Sequence, residues 1–346
     1  MPTSTLPSRR IAMAVGAGLL ALTSLAACGD DTSDADAAPS DTGGESDPGA
    51  FPTTIEHTFG ETTIESEPQR IVTLGWNAQD IVYALGEEPV GMPSEAYGAT
   101  DQEIKPWQSE HFDPDVTTLL DTTDGPPYEE IASLRPDVIL APYEGFDETT
   151  YKTLSDIAPT VAYPGKAWQT TWQDQTTMVG EALGRSDDAN ALVDETEALT
   201  DRVAADHPEF EGTSISVLSL GTDNYVYLPS DPRVQLLNEL GFENADGVVD
   251  LAKETGGENF APEIPKEEVD AMDADVVVGY ADATGAETVL DDPVYGSMDA
   301  FERGSAYVLD DQQVIGGMSS VSVLSVPWVM DRVVPELSKA AKAADG

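Results

Sequence analysis

The chain has few cysteines, histidines and basic residues. Its 346 residues include one cysteine, Cys28, and three histidines. A single thiol can form neither an intramolecular disulfide nor a zinc-cysteine cluster, so the fold depends on packing alone. The 16 Lys and Arg residues face 65 Asp and Glu residues, a formal charge of −49. Such a surface repels phosphate backbones, which argues against nucleic acid as a partner.

Motifs of common catalytic sites are also missing. The sequence contains no Gly-x-Ser-x-Gly, no His-Glu-x-x-His and no Gly-x-x-x-x-Gly-Lys-[Ser/Thr] motif. With three scattered histidines, a Ser-His-Asp relay is disfavoured as well. We therefore expect a protein that is not an enzyme and has no cofactor, with a cell-surface hydrolase or a structural adhesin as alternatives.

The N-terminus has the pattern of an export signal. Arg9 and Arg10 precede an apolar run over residues 11–25, which is too short to be retained as a membrane-spanning helix. Small residues then lead to Cys28 in the sequence Leu-Ala-Ala-Cys. This stretch resembles the lipobox of bacterial lipoproteins, and the resemblance implies cleavage after residue 27 and lipidation of Cys28.

An acidic, Gly- and Ser-containing tract follows over residues 28–50 and predicts a disordered tether. Removing the signal and the tether leaves a formal charge of −44 (14 − 58), so the acidity belongs to the folded part. A doubly acylated cysteine gives stable anchoring. We therefore predict that the protein is attached to the extracellular face of the cell membrane.

Beyond the tether, short apolar strands alternate with helical segments. Residues 70–74, 137–141 and 214–220 are near-continuous apolar runs, typical of strands buried on both faces. The alternation predicts an α/β fold of two Rossmann-like lobes with mainly parallel sheets. We place the N-terminal lobe at 51–184, one long rigid connecting helix at 185–210 and the C-terminal lobe at 211–346, with a ligand cleft between the lobes.

The two lobes share a short internal repeat. Residues 129–140 (EEIASLRPDVIL) align with 267–278 (EEVDAMDADVVV) at a constant offset of 138 (267 − 129). Helix-turn-strand patterns of this kind also occur by chance. Because the neighbouring elements follow in the same order, we interpret the match as two related lobes.

Aromatic residues follow the predicted strands in both lobes. Ligands of open α/β sheets bind beyond the carboxyl ends of the strands. The candidates at these ends are Trp76, Tyr143, Phe146, Trp168, Tyr225, Tyr227 and Tyr280. Tyr97 and Trp107 lie in the irregular segment 91–126, which we expect to cover the cleft. Each alone could be a core residue, but together they predict a broad aromatic pocket.

Three segments carry a family resemblance: RIVTLGWNAQDIVYALGEEPVGMP, PYEEIASLRPDVILAPYEGFDETTYKTLSDIAPTVAYP and YVYLPSDPRVQLLNELGFENA. They resemble substrate-binding lipoproteins of ABC importers, of the helix-linked class that takes up ferric siderophores, cobalamin and haem. The resemblance covers residues 55–340 and is closest to the iron-siderophore branch of actinobacteria and other Gram-positive bacteria. It implies a monomer that captures an iron(III)-siderophore complex and delivers it to a permease dimer with its ATPase.

The resemblance also implies two docking residues. In that family one glutamate per lobe pairs with arginines of the permease, and the repeat assigns this role to Glu129 and Glu267, with Glu130 and Glu268 as less favoured neighbours. Both glutamates lie in the first turn of a predicted helix, where the helix dipole alone would favour a carboxylate. A solvated, merely stabilising role is the alternative.

The small number of cations near the expected cleft limits the class of ligand that would bind there. Anionic catecholate complexes need clustered cations, and the positions near strand ends or loops offer only Lys105, Lys166, Arg233, Lys253 and Arg303. We therefore expect a near-neutral hydroxamate complex with Arg233 as its leading donor, although Arg233 could instead simply pair with Asp231. Haem remains an alternative, because His111 in the 91–126 segment could ligate iron; cobalamin is another.

Overall fold

The computed structural model describes residues 49–257, 259–281 and 285–346. The predicted signal peptide, Cys28 and nearly all of the predicted tether lie outside the described residues. Within the described part of the chain, no helix combines the length and apolar character needed to cross a membrane.

The N-terminal half consists of a β-hairpin followed by a parallel sheet. The hairpin strands β1 and β2 are antiparallel, and the five-stranded sheet has the order β5-β4-β3-β6-β7 with every pair parallel. The elements are β1 (Thr53–His57), β2 (Gly60–Ile64), β3 (Ile71–Thr73), α1 (Ala78–Ala84), β4 (Gly91–Pro93), β5 (Thr118–Leu120), α2 (Tyr128–Leu134), β6 (Val138–Ala141), α3 (Glu148–Ser155), β7 (Thr160–Ala162) and α4 (Trp172–Ala182).

The C-terminal half contains a second, mainly parallel sheet. Its order is β10-β8-β11-β12, and β9 pairs antiparallel with β8. The elements are β8 (Ser214–Leu220), β9 (Tyr225–Val226), α6 (Pro232–Glu239), β10 (Glu243–Asn244), α7 (Asp246–Thr255), β11 (Val276–Ala281), α8 (Ala286–Leu290), α9 (Asp299–Arg303), β12 (Ala306–Leu309), α10 (Gln312–Ser319) and α11 (Ser325–Ala344). Short 3₁₀ helices span Pro106–Gln108, Pro208–Phe210, Lys266–Met272 and Tyr295–Ser297.

The internal repeat recurs in the backbone geometry. The helix before β6 begins at Tyr128 and the helix before β11 begins at Lys266, which preserves the offset of the aligned sequences. In each lobe an aspartate before the strand accepts a backbone N–H from the neighbouring strand's start: Asp137 from Arg70 at 2.9 Å and Asp275 from Ser214 at 3.0 Å. One difference remains, because the first helix is α and the second is 3₁₀.

Helix α5 (Ser186–Asp206) connects the two sheets. The predicted span of 185–210 is longer, because His207 ends the helix and a separate 3₁₀ turn follows at Pro208–Phe210. One buried apolar cluster includes residues of both halves, among them Val138 and Val276. Because apolar interiors are close-packed, this shared core couples the lobes mechanically.

A buried polar network also links the halves at the start of α1. Asn77 occupies the N-cap position without capping through its side chain, which instead donates to Gln175 and to the carbonyl of Val321. The Asp80 carboxylate accepts from Trp107 Nε1 and from Gln108 Nε2, each at 2.6 Å, and from Ser322 Oγ at 2.5 Å.

Candidate ligand-binding site

Two adjoining cavities form a cleft between the two sheets. The larger is about 1030 Å³ and the smaller about 330 Å³, and Trp76 and Tyr97 line both. The residues of the smaller cavity come mainly from the N-terminal lobe, and those of the larger mainly from the C-terminal lobe. Several of them directly follow parallel strands, which is where ligands of such sheets bind.

A tight turn after β3 presents Trp76 to the cleft. Gly75 has φ +78°, and a Cβ on it would overlap the carbonyl oxygen of Tyr143. Only glycine fits both conditions, since it alone has no Cβ and adopts positive φ without strain. Trp76 is consequently held at the rim, where 39% of it is exposed.

Trp168 completes an aromatic surface on this wall. Its ring lies 5.7 Å from Trp76 and 5.5 Å from Tyr143, the latter edge-on. Its backbone has φ +60°, a left-handed conformation that is costly for a bulky residue. The indole packs directly over Gly145, where any Cβ would overlap it. Strained backbone of this kind concentrates at functional sites.

Two of the predicted aromatic residues lie deeper in this wall. Phe146 lines the smaller cavity and also packs in the core of the N-terminal sheet. Tyr143 is only 2% exposed and is not among the lining residues; it lies behind Trp168 and within hydrogen-bonding reach of Arg233. The structure therefore makes Tyr143 a support for the wall rather than part of its surface.

The opposite wall is built around Arg233. This residue is 6% exposed, and its Nε donates to Asp231 Oδ1 at 2.7 Å. Its guanidinium carbon lies 3.9 Å from the ring centre of Tyr227 and 6.0 Å from that of Tyr280. Arg233, Tyr227 and Tyr280 all line the larger cavity, as does Tyr225. Arg233 thus both pairs with Asp231 and faces the cleft, so the two roles considered for it are compatible.

The electrostatics of this wall keep one fixed positive charge among neutral phenols. Burial opposes the charge of Arg233, but the adjacent Asp231 carboxylate raises its pKa, so the guanidinium stays protonated. Burial raises the pKa of Tyr280, whose hydroxyl has no hydrogen-bond partner among the described residues. This arrangement offers N–H and O–H donors to an oxygen-rich ligand, with apolar ring faces around them.

A short loop carries Tyr97 across the cleft. Lys105 anchors this loop, because its Nζ donates to the carbonyl of Tyr97 at 2.7 Å and pairs with Glu95 at 3.0 Å. On the other side Gly98 (φ +67°) packs against the carbonyl of Gln312 in α10. Tyr97 itself is 46% exposed. A large exposed aromatic residue on a doubly anchored loop is available to a ligand.

Trp107 does not belong to the site. It lies in the 3₁₀ turn Pro106–Gln108, is 8% exposed and lines neither cavity. Its indole N–H donates to Asp80, and its ring packs 5.4 Å from that of Trp328. We therefore withdraw Trp107 from the predicted ligand contacts: a buried hydrogen-bond acceptor holds its indole inside the protein.

Several lining residues were not predicted from the sequence. They comprise one face of α10, a segment before the 3₁₀ helix Lys266–Met272, and polar residues at or just after the ends of strands: Gln312, Ile315, Ser319, Asn259, Phe260, Ala261, Ser219, Glu144 and Asp310. A signal existed for the last two, because Glu144 follows β6 and Asp310 follows β12 directly.

The other predicted cations differ in their placement. Lys105 lines the smaller cavity. Lys166 lines neither cavity, and its Nζ donates to the carbonyl of Gly257 at 3.1 Å. Lys253 pairs with Asp250 on the surface, and Arg303 donates to the carbonyl of Ala274. Neither of the last two lines the cleft.

The predicted docking residues lie in equivalent, solvated positions. Glu129 is exposed in the first turn of α2, and Glu267 is exposed in the first turn of the 3₁₀ helix Lys266–Met272. Neither lines the cleft.

Comparison with known proteins assigns the family. The profile of the family described as periplasmic binding protein matches residues 71–313. This chain belongs to that family. Two relatives of this periplasmic binding protein come from Bacillus subtilis (strain 168). The Fe(3+)-citrate-binding protein YfmC is 26% identical over 72% of this chain and 76% of its own length. The probable siderophore-binding lipoprotein YfiY is 25% identical over 78% and 85%, respectively.

A solved structure shares the fold over most of the chain. Streptococcus pneumoniae TIGR4 PiaA in complex with ferrichrome superposes with a TM-score of 0.76 and 31% identity. The match covers 84% of this chain and 99% of that one. The predicted α/β fold of two lobes and the predicted family resemblance are both confirmed.

Proposed function

We propose that this protein is the substrate-binding component of an ABC importer and that it captures a ferric siderophore, of hydroxamate type, in the cleft. The observation that carries the proposal is the pairing of an indole wall at Trp76 and Trp168 with one fixed guanidinium at Arg233. Hydroxamate complexes present carbonyl and N–O oxygens to a donor and apolar arms to aromatic rings. The ferrichrome complex of PiaA supports this ligand class, and the name of YfiY supports a siderophore in general.

Ferric citrate is the competing ligand, because YfmC is named for it. Citrate and catecholate complexes are anionic and need clustered cations. Among the described lining residues the cations are Lys105 and Arg233, and each has a carboxylate partner. The charge of the cleft therefore favours the hydroxamate class.

Haem is less well supported by the site. His111 is exposed, stacks 5.6 Å from Tyr83 and lines neither cavity. Tyr280 faces the cleft, but burial raises its pKa and so disfavours the phenolate that would ligate iron. A Soret shift on adding haem to the purified protein would contradict this assignment.

The proposal also covers how the protein docks on its permease and how it is attached to the membrane. We infer that Glu129 and Glu267 dock the protein on the two subunits of a permease, because one exposed carboxylate per lobe suits a two-fold partner. We also infer that Cys28 carries the lipid anchor, in line with the lipoprotein name of YfiY. In cells, Cys28→Ser should release the protein into the medium; a variant that stays with the membrane would contradict the anchor.

Tryptophan fluorescence tests the ligand class directly. We expect ferric hydroxamates to quench the emission strongly, because Trp76 and Trp168 line the cleft. The panel comprises ferric hydroxamates, ferric catecholates, ferric citrate, haem and cobalamin. Trp168→Phe should reduce the quenching amplitude, whereas Trp328→Phe should leave it unchanged, since Trp328 lines neither cavity. Saturable binding of citrate alone, or of no member, would overturn the proposal.

A further inference from the structure

The cations of the cleft are neutralised by the protein itself. Lys105 pairs with Glu95 at 3.0 Å, and these side chains are 3% and 11% exposed. Arg233 pairs with Asp231 at 2.7 Å, and Asp231 is fully buried. Buried pairs of this kind stay paired, because separating them would leave an uncompensated charge in the interior. Neither cation therefore contributes a full free charge to the cleft.

The positive end of helix α10 is neutralised in the same way. This helix contributes Gln312, Ile315 and Ser319 to the larger cavity. Its N-terminal N–H groups could attract an anion. Asp311 occupies the N-cap, and its Oδ1 accepts from the N–H groups of Gln313 at 2.9 Å and Val314 at 3.3 Å. A carboxylate of the protein thus already occupies this anion-binding position.

Two further carboxylates line the cleft and form no salt bridge among the described residues. Glu144 lines the smaller cavity and Asp310 lines the larger one. No salt bridge joins either of them to a Lys or Arg among the described residues. Burial raises the pKa of Glu144, which is the expected result for a carboxyl without a cationic neighbour.

One phenol in the larger cavity has an unused polar group. Tyr280 lines this cavity at 4% exposure, and its hydroxyl has no hydrogen-bond partner among the described residues. Because a hydroxyl accepts as well as donates, a ligand that brings an N–H donor would satisfy this oxygen.

We propose that the cleft selects ferric hydroxamates by charge, so that a complex with a pendant ammonium group binds more tightly than a neutral one and an anionic complex binds most weakly. Glu144 and Asp310 are the residues that set this order. The inference rests on the proposed function, because it divides the ligand class named there.

Three ligands with one iron-binding group test the order. Ferrioxamine B has a pendant ammonium group, its N-acetyl derivative is neutral, and its N-succinyl derivative carries a carboxylate in the same place. We expect Kd to rise by roughly threefold at each step from cation to anion, the size of partly exposed charge pairs. Glu144→Gln and Asp310→Asn should each reduce this spread, and the double variant should nearly abolish it.

A control separates the cleft from the overall acidity of the protein. Glu195 is exposed on α5 and lines neither cavity, so Glu195→Gln should keep the full spread. Equal affinity of the three complexes for the unmodified protein would overturn the charge inference and leave the proposed function standing. A spread that survives in the double variant would overturn the role of the two carboxylates. Failure of all three complexes to bind would overturn the proposed function together with the inference.

Discussion

The two walls of the cleft stand on similar scaffolds and present different chemistry. Each lobe contains a strand that follows a short helix, and Asp137 and Asp275, directly before these two strands, accept equivalent backbone N–H groups. The N-terminal wall offers indole faces from Trp76 and Trp168. The C-terminal wall offers a guanidinium between phenol rings. The repeat thus accounts for the frame, and the residues just after the strands determine what each wall can bind.

The two walls would therefore contribute to ligand recognition in different ways. Indole faces give contact area with little directional preference, whereas an arginine fixed by a buried carboxylate gives direction. A ligand held between them would be oriented by the C-terminal wall and enclosed by the N-terminal one. Away from the cleft the lobes share one feature, since Glu129 and Glu267 occupy matching first turns.

The largest expected effect concerns the equivalent glutamates Glu129 and Glu267. Charge reversal of both Glu129 and Glu267 to Arg should abolish iron uptake in cells, because the proposed contact of each lobe with a permease arginine would become repulsive. The ferric hydroxamate affinity of the purified variant should not change. Reversal of Glu130 and Glu268, which are exposed in the same two turns, tests the less favoured neighbours and should leave uptake normal. Normal uptake by the first double variant would contradict the docking assignment and leave only a helix-stabilising role.

The next largest effect is expected from a substitution in the C-terminal wall. Arg233→Gln should weaken ferric hydroxamate binding by about 100-fold, since a charged donor to the ligand is lost and Asp231 is left unpaired. The variant should also lose about 3–5 kcal/mol of unfolding free energy, the usual cost of breaking a buried ion pair. Asp231→Asn combined with Arg233→Gln removes the orphaned charge, so it should recover stability but not affinity. Calorimetric titration and urea denaturation measure the two quantities, and recovery of affinity in the double variant would rule out a ligand contact for Arg233.

The strands and the helices before them could be predicted from the sequence, because they depend on local residue patterns. Continuous apolar runs indicated the strands, and the match of 129–140 with 267–278 anticipated the helix starts at Tyr128 and Lys266. The aromatic residues at strand ends were predicted from the rule that ligands bind there, and the structure brings Trp76, Tyr227 and Tyr280 to one cleft. Arg233 could be predicted because the sequence offers only a few cations near strand ends or loops.

The residues that sequence reasoning missed depend on contacts between distant segments. Gly316 and Gly317 obscured helix α10, because paired glycines ordinarily indicate a turn. They are accommodated there since a Cβ at Gly316 would lie 3.4 Å from Gly98 and one at Gly317 would overlap Val329. Trp107 was misassigned for a similar reason. Its partner Asp80 is buried in part by Ser322, which is 242 residues away in the sequence.

A smaller effect tests the N-terminal wall. Trp76→Ala should weaken ferric hydroxamate binding by about 1–3 kcal/mol, the contribution of an aromatic ring that a ligand buries. Tyr227→Ala should lose a similar amount, and also the stacking that supports Arg233. Trp328→Ala is the matched control, because this half-buried indole stacks on Arg332 and lines neither cavity. If Trp76→Ala and Trp328→Ala bind equally well, the indole wall has no part in recognition.

The smallest effect concerns the joint between the lobes. Burial raises the pKa of Asp80 to about 6, although hydrogen bonds from Ser322, Gln108 and Trp107 partly offset this. The unfolded chain has the ordinary value of about 3.9. Between these two values the folded state binds more protons than the unfolded state, so this group's contribution to stability is greatest at low pH and falls as the pH rises through 6.

Asp80→Asn should remove that dependence. The unfolding free energy of the unmodified protein minus that of the variant should fall by about 1 kcal/mol between pH 5 and pH 7. The variant should be the less stable protein at pH 5, because the amide replaces one acceptor oxygen with an NH2 group that meets a donor, whereas a protonated carboxyl keeps both oxygens. Urea denaturation of both proteins at several pH values measures the difference, and Glu195→Gln, an exposed carboxylate on α5, serves as the control. A constant difference across this range would mean that Asp80 stays ionised throughout, with its hydrogen bond from Ser322 linking the lobes equally well at pH 5 and pH 7.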